Sequence, residues 1–220
     1  MIVTAVVRQP RRRQVSVFVD GEFALALGRE LAAERDVRPG RALSRAELSG
    51  LAAEQARRGA LEAALRLLSY RPRSERELRI RLARKGFDGQ AVRVTMDRLR
   101  EMGYVNDTEF ARFFTETQQA ARPRAQRIVL AELRWRGVEQ PVAEQATAGI
   151  EDEEAAYRAA GRRARALREL DYTRFRERLG GFLTRRGFSY GVARTTIDRC
   201  WAEVGNLPHP RPLSLEEGEG

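Results

Sequence analysis

The fold of this chain is decided by the stretch RPRSERELRIRLARKGF, residues 71–87. Leu78 and Leu82 are four positions apart, the spacing that places two side chains on one face of a helix. Ser74 and the glutamate three positions later fit a capping box, which satisfies free backbone donors at a helix N-terminus. Gly86 follows the last turn, where a glycine commonly ends a helix in the left-handed conformation. The stretch therefore predicts a short helix between a proline break and a tight glycine turn.

This pattern occurs three times. The turns Lys85-Gly86-Phe87, Arg136-Gly137-Val138 and Arg186-Gly187-Phe188 are separated by 51 and 50 residues. Apolar or small side chains recur eight and four positions before each glycine and five, nine and thirteen positions after it: Leu78, Leu82, Ala91, Thr95 and Leu99; Val129, Leu133, Val142, Ala146 and Ile150; Leu179, Leu183, Val192, Thr196 and Cys200. Spacings of four predict helices on both sides of each turn, with Cys200 on the core face.

A longer helix is predicted before each pair, at about 45–70, 107–121 and 151–168. Ser44 with Glu47 fits a second capping box at the start of the first of these. The chain is therefore predicted to be mainly α, with three tandem three-helix repeats in an elongated, curved array. We place the repeats at 44–104, 105–150 and 151–205. Residues 206–220 are rich in proline and end in glutamates, and we expect a disordered tail there.

Residues 1–43 are predicted to form a small β module. Asp20-Gly21 separates two β-rich runs, which is a strong indication of a hairpin because both central positions of a type I′ turn need positive φ. A hairpin alone is marginally stable, so the run at 2–7 should add a third strand and a helix should cover the sheet. In this register we expect one apolar face to hold Phe18, Phe23, Leu25 and Leu27.

The composition favours a polyanionic partner. The net charge is +10, and Lys85 is the only lysine among 41 basic residues. Guanidinium groups grip phosphate oxygens in a bidentate manner, although an arginine-rich genome would also place them on solvated helix faces. No apolar run is long enough for a membrane span, and no targeting segment is evident. We expect a cytoplasmic protein without a membrane partner, and nothing in the repeat requires more than a monomer.

Catalysis is not indicated. Cys200 is the only cysteine and His209 the only histidine, so an intramolecular disulfide and cysteine or histidine metal clusters are excluded. A hydrolytic triad would have to use His209 in the predicted tail. The acidic run at 151–154 suits a helix N-terminus, and we interpret it as structural. We therefore predict a protein that is not an enzyme and has no cofactor and no bound metal.

Twelve basic residues are candidates for contact with DNA or its protein complexes. Five arginines lie at predicted helix mouths, where free N–H groups favour a phosphate or carboxylate, although the repeat alone would preserve them. Three arginines and Lys85 lie in the last turns of helices, where complementing the helix dipole is the competing explanation. The triplet at 11–13 is a candidate phosphate-contacting loop or a charged strand edge. In chain order the candidates are Arg11, Arg12, Arg13, Arg71, Arg73, Arg84, Lys85, Arg122, Arg124, Arg174, Arg185 and Arg186.

Several segments together resemble the RecX regulators of bacteria. They are the Val19-Asp20-Gly21 hairpin, RPRSEREL at 71–78, LARKGF at 82–87, LREMGYVND at 99–107, EFA at 109–111 and the second unit at 128–137. The resemblance covers about residues 1–204 and is most specific at 71–114. One departure is Asn106-Asp107, where the family more often has two acids. Either residue is able to cap the following helix.

The resemblance implies a function. RecX proteins have tandem three-helix repeats and no catalytic activity, engage the RecA filament on single-stranded DNA, and inhibit ATP hydrolysis, strand exchange and filament growth. It implies a regulator of homologous recombination, DNA repair and the SOS response, with contacts to single-stranded and in some cases double-stranded DNA.

Two other functions fit the residues. One is a helix-turn-helix protein that binds DNA alone, which would need base-reading side chains such as Gln90, Arg93 and Asp97. The other is a structural adaptor that binds neither DNA nor a recombinase.

Overall fold

The computed structural model describes residues 1–10 and 13–205 of the chain. Arg11, Arg12 and the predicted tail at 206–220, with His209, lie outside these residues. Three strands come first: β1 (Val3–Arg8), β2 (Gln14–Val19) and β3 (Glu22–Gly28). The helices are α1 (Arg29–Glu34), α2 (Arg45–Tyr70), α3 (Glu75–Arg84), α4 (Gly89–Glu101), α5 (Asp107–Ala121), α6 (Gln126–Trp135), α7 (Gln140–Thr147), α8 (Asp152–Ala166), α9 (Tyr172–Arg185) and α10 (Tyr190–Gly205). The prediction of a mainly helical chain behind a three-stranded module is confirmed.

The three strands form an antiparallel sheet in the order β1-β2-β3. Asp20 and Gly21 have φ of 50° and 90°, so the predicted tight hairpin turn is present. Val3, Val17 and Leu27 are fully buried, and Leu31 of the short helix α1 packs in the same cluster. One of the helices that cover this sheet, α1, follows β3 directly. It is six residues long and has no side-chain cap, and the sequence pattern does not indicate it.

The prediction that Phe18, Phe23, Leu25 and Leu27 share one face is wrong. Phe18 does pair with Phe23, with ring centroids 5.9 Å apart, but Phe23 is exposed and Leu27 is buried. The register shifts between Val17, which pairs with Leu25, and Phe18, which pairs with Phe23. This bulge reverses the faces, because strand side chains alternate with a period of two.

The repeat pattern corresponds to buried positions in three helical trios: α2–α4, α5–α7 and α8–α10. The residues eight and four positions before each glycine are all completely buried: Leu78, Leu82, Val129, Leu133, Leu179 and Leu183. After the glycine, the first and third trios bury the predicted stripe at Thr95, Leu99, Thr196 and Cys200, whereas the short α7 buries Ala143 and Thr147, one position further along. Three tandem three-helix repeats are thus confirmed. The repeat boundaries and the curvature of the array stay predictions.

The three repeat glycines share one conformation. Gly86, Gly137 and Gly187 have φ of 88°, 91° and 90°, as a helix-ending glycine requires. The chain divides into two compact units, the first comprising Met1–Phe110 and the second beginning at Ala111. The first unit holds the β module and the first trio, and the division falls inside α5.

Candidate nucleic-acid interface

A cleft of about 1360 Å³ lies in the first unit. One wall is α2, the opposite wall is the end of the sheet with the start of α1, and the turn after α3 contributes Lys85. The lining residues are Arg13, Gln14, Gly28, Arg29, Glu30, Leu31, Gln55, Arg58, Gly59, Glu62, Arg66 and Lys85. Sequence reasoning singled out Arg13 and Lys85 separately, and the fold places both beside this one cleft.

Two glycines set the distance between the walls. The Gly28 N–H donates to Gln55 Oε1 at 2.6 Å, which ties the end of β3 to α2. At Gly59, in the middle of α2, an added Cβ would lie 3.2 Å from the Phe87 ring. The absence of that side chain therefore lets the α3–α4 turn approach α2 closely and brings Lys85 to the rim.

The cleft carries an excess of positive charge, with five basic side chains against two acidic ones. Two of the cations already have partners. Arg58 donates to Glu34 and also to Glu54, whose Oε1 lies 2.8 Å from Arg58 Nη2. These hydrogen bonds raise the pKa of Arg58 above its ordinary value. Arg66 lies 3.3 Å from Glu62 one turn earlier on α2. These exposed pairs are individually weak, but they balance the carboxylates on the α2 wall.

The other three cations are available to a ligand. Arg13, Arg29 and Lys85 are exposed, and within the described residues no carboxylate lies within 4.0 Å of their side-chain nitrogens. Arg13 directly precedes β2, Arg29 lies in the first turn of α1 and Lys85 lies in the α3–α4 turn. Three unpaired cations at separate positions around one cleft suit a ligand that carries several separate negative charges, such as a phosphodiester backbone.

The predicted anion seats at the helix mouths are occupied by this chain's own carboxylates. Asp107, the first residue of α5, accepts from the Glu75 N–H of α3 at 2.9 Å. Asp152, the first residue of α8, accepts from the Gln126 N–H of α6 at 2.8 Å. In both cases the helix that opens one trio caps a helix of the trio before it. At each of these two mouths one free backbone donor is therefore already bonded to a carboxylate, which an external phosphate would have to displace.

The arginines around these mouths have mostly internal contacts. Arg73 is 9% exposed and its Nε donates to the Leu67 carbonyl at the end of α2, and burial lowers the pKa of Arg73 below its ordinary value. Arg71 is exposed and lies 3.3 Å from Glu77. Arg124 is half-buried, 3.3 Å from Glu132. Their contacts indicate that these three arginines hold the breaks between helices.

In the second unit the turn of the third trio fills the mouth of α6. Arg186 donates to the Pro123 carbonyl at 2.9 Å and lies over the Phe182 ring at 4.6 Å, while its own carbonyl accepts from the Ala125 N–H. Burial lowers the pKa of Arg186. The remaining candidates are exposed on the surfaces of their own trios: Arg84, Arg122, Arg174 and Arg185.

The three base-reading candidates of the helix-turn-helix hypothesis, Gln90, Arg93 and Asp97, all form hydrogen bonds within the chain. Arg93 donates to Gln90 at 2.8 Å, and Asp97 accepts from Arg100 at 2.7 Å. Residues that the sequence reasoning missed are Arg29, Arg58 and Arg66. Arg58 and Arg66 lie on the face of α2 that also carries Gln55 and Glu62, and a helical projection of 55–66 would have shown them together.

None of the helices in the described part of the chain combines the length and the apolar character that a bilayer crossing requires. Within the same residues, no three of the His, Cys, Asp and Glu side chains group closely enough to hold a metal ion.

Two family descriptions match parts of this chain. Residues 60–99 match "RecX, first three-helix domain", and residues 151–197 match "RecX, third three-helix domain". A regulatory protein RecX of Amycolatopsis mediterranei is 34% identical over 155 residues, which cover 69% of this chain and 89% of that protein. The regulatory protein RecX of Thermobifida fusca is 36% identical over 158 residues, covering 70% of this chain and 84% of that protein.

Two solved structures resemble the fold. A crystal structure of a regulatory protein RecX superimposes with a TM-score of 0.61 over 90% of this chain and 98% of its own, at 20% identity. RecX from Lactobacillus salivarius gives a TM-score of 0.56 over 66% of this chain and 96% of its own, at 21% identity. At these identities the likeness concerns the fold.

Proposed function

This chain belongs to the RecX family of regulatory proteins, and from that premise we propose that it is a negative regulator of the RecA recombinase. It binds the filament that RecA forms on single-stranded DNA, in the filament groove, and inhibits ATP hydrolysis, strand exchange and filament growth. It acts in the cytoplasm as a monomer that is not an enzyme, within homologous recombination, DNA repair and the SOS response.

The observation that carries this proposal is the cleft with its unpaired cations Arg13, Arg29 and Lys85. Neutralising several phosphates releases condensed counterions, and this term supplies most of the sequence-independent affinity for nucleic acids. A protein that must act at any point along a filament needs affinity without base recognition. The exposed cations of the other trios add weaker contacts, and several such contacts made together raise the overall affinity.

The test is a titration of RecA's ATPase on single-stranded DNA with the full chain. We compare it with a cleft variant (Arg13→Ala, Arg29→Ala, Lys85→Ala) and a matched control (Arg45→Ala, Arg81→Ala, Arg93→Ala). The control removes the same charge from exposed positions of the same unit that do not line the cleft. The full chain and the control should inhibit alike, and the cleft variant should need about tenfold more protein because three phosphate contacts are lost.

Failure of the full chain to slow the ATPase would refute the regulatory function. Sequence-selective binding to duplex DNA in the absence of RecA would instead favour the helix-turn-helix alternative. Equal inhibition by the cleft variant and the control would show that the contact with the filament lies outside the cleft.

A further inference from the structure

A second, smaller cleft continues the first along α2. Its volume is about 370 Å³, and it shares Gly59, Glu62, Arg66 and Lys85 with the larger cleft. The residues that it adds are Ala63, Leu67 and Tyr70. The two clefts therefore form one groove, with basic side chains at the sheet end and an aromatic ring at the other end.

One face of α2 forms a wall of this groove from Gln55 to Tyr70. The lining positions advance by three or four residues, as one helical face requires. At 1.5 Å per residue this face is about 22 Å long. A stacked strand advances 3.4 Å per nucleotide, so the groove has room for about six nucleotides.

Tyr70 is exposed in this groove, and no polar contact among the described residues accounts for its position. It is the last residue of α2 and is 78% exposed. Within the described residues, Tyr70 takes part in no hydrogen bond, ion pair or ring contact. An aromatic ring left uncovered beside Arg66 and Lys85 is the combination by which proteins hold unpaired nucleotides: cations follow the backbone and rings stack on bases.

We infer that this groove holds a single-stranded nucleic-acid segment, with its phosphates on Arg13, Arg29 and Lys85 and one base stacked on Tyr70. The inference rests on the proposed contact between the cleft and DNA, and it adds what distinguishes a single strand from a duplex. In a duplex the base faces are stacked on one another, so the ring has no face to cover. The cations act on both forms, and Tyr70 acts on the single strand alone.

The experiment measures binding of the full chain, without any recombinase, to a fluorescent oligothymidylate and to a hairpin duplex by anisotropy. Tyr70→Ala should weaken binding to the oligothymidylate by about tenfold and leave the duplex within about twofold, because stacking on one base is lost. Tyr70→Phe should retain the affinity, since it keeps the ring. Tyr104→Ala, which removes an exposed tyrosine of the same unit outside the groove, should behave as the unmodified chain. An oligonucleotide with one 5-iodouracil should cross-link to Tyr70 on irradiation.

The inference is overturned if Tyr70→Ala matches Tyr104→Ala, if it weakens single strand and duplex equally, or if the cross-link maps elsewhere. It is also overturned if only an acidic peptide occupies the groove. A cleft variant that binds both nucleic acids normally contradicts the phosphate contact of the proposed function itself. A weakened cleft variant together with a normal Tyr70→Ala refutes only the stacking.

Discussion

Gly187 and Gly86 have the same backbone angle in different surroundings. An added Cβ at Gly187 would clash with Ile128 Cγ1, whereas at Gly86 it would meet open space. Left-handed φ costs a non-glycine residue about 1 kcal/mol, and overpacking adds about 1–3 kcal/mol. Gly86→Ala should therefore lower the free energy of unfolding by about 1 kcal/mol and Gly187→Ala by about 3 kcal/mol. Urea unfolding followed by circular dichroism measures both free energies. Equal decreases in the two variants would show that the Ile128 side chain moves aside without destabilising the fold.

Cys200 is expected to be an unreactive thiol. It is 2% exposed, and burial, with a smaller contribution from Glu203, raises its pKa to about 11. The thiolate is the nucleophile, so at pH 8 only about one molecule in a thousand is reactive. A thiol-specific disulfide reagent should label the native chain about 100-fold more slowly than the urea-unfolded chain, and the native rate should rise with pH up to the raised pKa. Fast native labelling at pH 8 would contradict the burial of Cys200, and Cys200→Ser gives the blank.

For single residues, the sequence predicted those roles that depend only on residues nearby in the sequence. The left-handed glycines and the core position of Cys200 follow from spacing alone. The contact of Gly187 with Ile128 does not, because those residues belong to different trios and are 59 positions apart. Arg73 and Arg186 likewise look like surface cations in the sequence, and only the fold shows that they donate to backbone carbonyls.

At the scale of the elements, the testable feature is the carboxylate of one trio that caps a helix of the preceding trio. Asp152→Ala should reduce the free energy of unfolding by about 1 kcal/mol, because α6 loses the acceptor for its Gln126 N–H. Asp152→Asn should cost less, since an amide oxygen still accepts. Glu153→Ala removes a neighbouring exposed acid and serves as the matched control. Urea unfolding followed by the fluorescence of Trp135 and Trp201 reports on this unit, and equal losses for Asp152→Ala and Glu153→Ala would exclude the cap.

Helix bounds were predictable where the capping chemistry is local. Ser44 and Ser74 each accept from the backbone N–H three residues later, and α2 and α5 occupy the predicted spans. Asn106 caps its own helix, as expected, but its neighbour Asp107 reaches α3 instead. The bulge at Phe18 was not predictable, because alternation along a strand carries no information about a register shift.

For the whole molecule, the charge of +10 should appear as a salt dependence that is concentrated in the first unit. Each phosphate contact to a single strand contributes about −0.7 to the slope of log affinity against log salt concentration. Removing Arg13, Arg29 and Lys85 should make the slope shallower by about 2, and the matched control at Arg45, Arg81 and Arg93 should change it much less. Anisotropy at several salt concentrations measures the slopes. Equal salt-dependence slopes in the cleft variant and the matched control would mean that the positive charge of the whole chain, and not these three cations, determines the salt dependence.

The candidate site was only partly predictable at this scale. The sequence identified Arg13 and Lys85 as cations without a fixed role, but they are 72 positions apart and nothing local connects them. Arg29 directly follows β3, and the hydrogen bond from Gly28 to Gln55 ties its wall of the cleft to α2. Charge counts therefore favoured a nucleic-acid partner, and the packing of the sheet against α2 determined which cations are available to it.

The caps that come from a later trio also impose an order on folding during synthesis. The carboxylate that completes the start of α3 lies 32 residues downstream of the N–H that it accepts. While the ribosome is still adding those residues, Ser74 already caps α3 through the Glu77 N–H, but the Glu75 N–H lacks its carboxylate acceptor until Asp107 has left the exit tunnel. The first and second trios each gain an acceptor from the helix that follows them, so a translation product truncated after residue 104 would be released with the Glu75 N–H lacking its carboxylate partner.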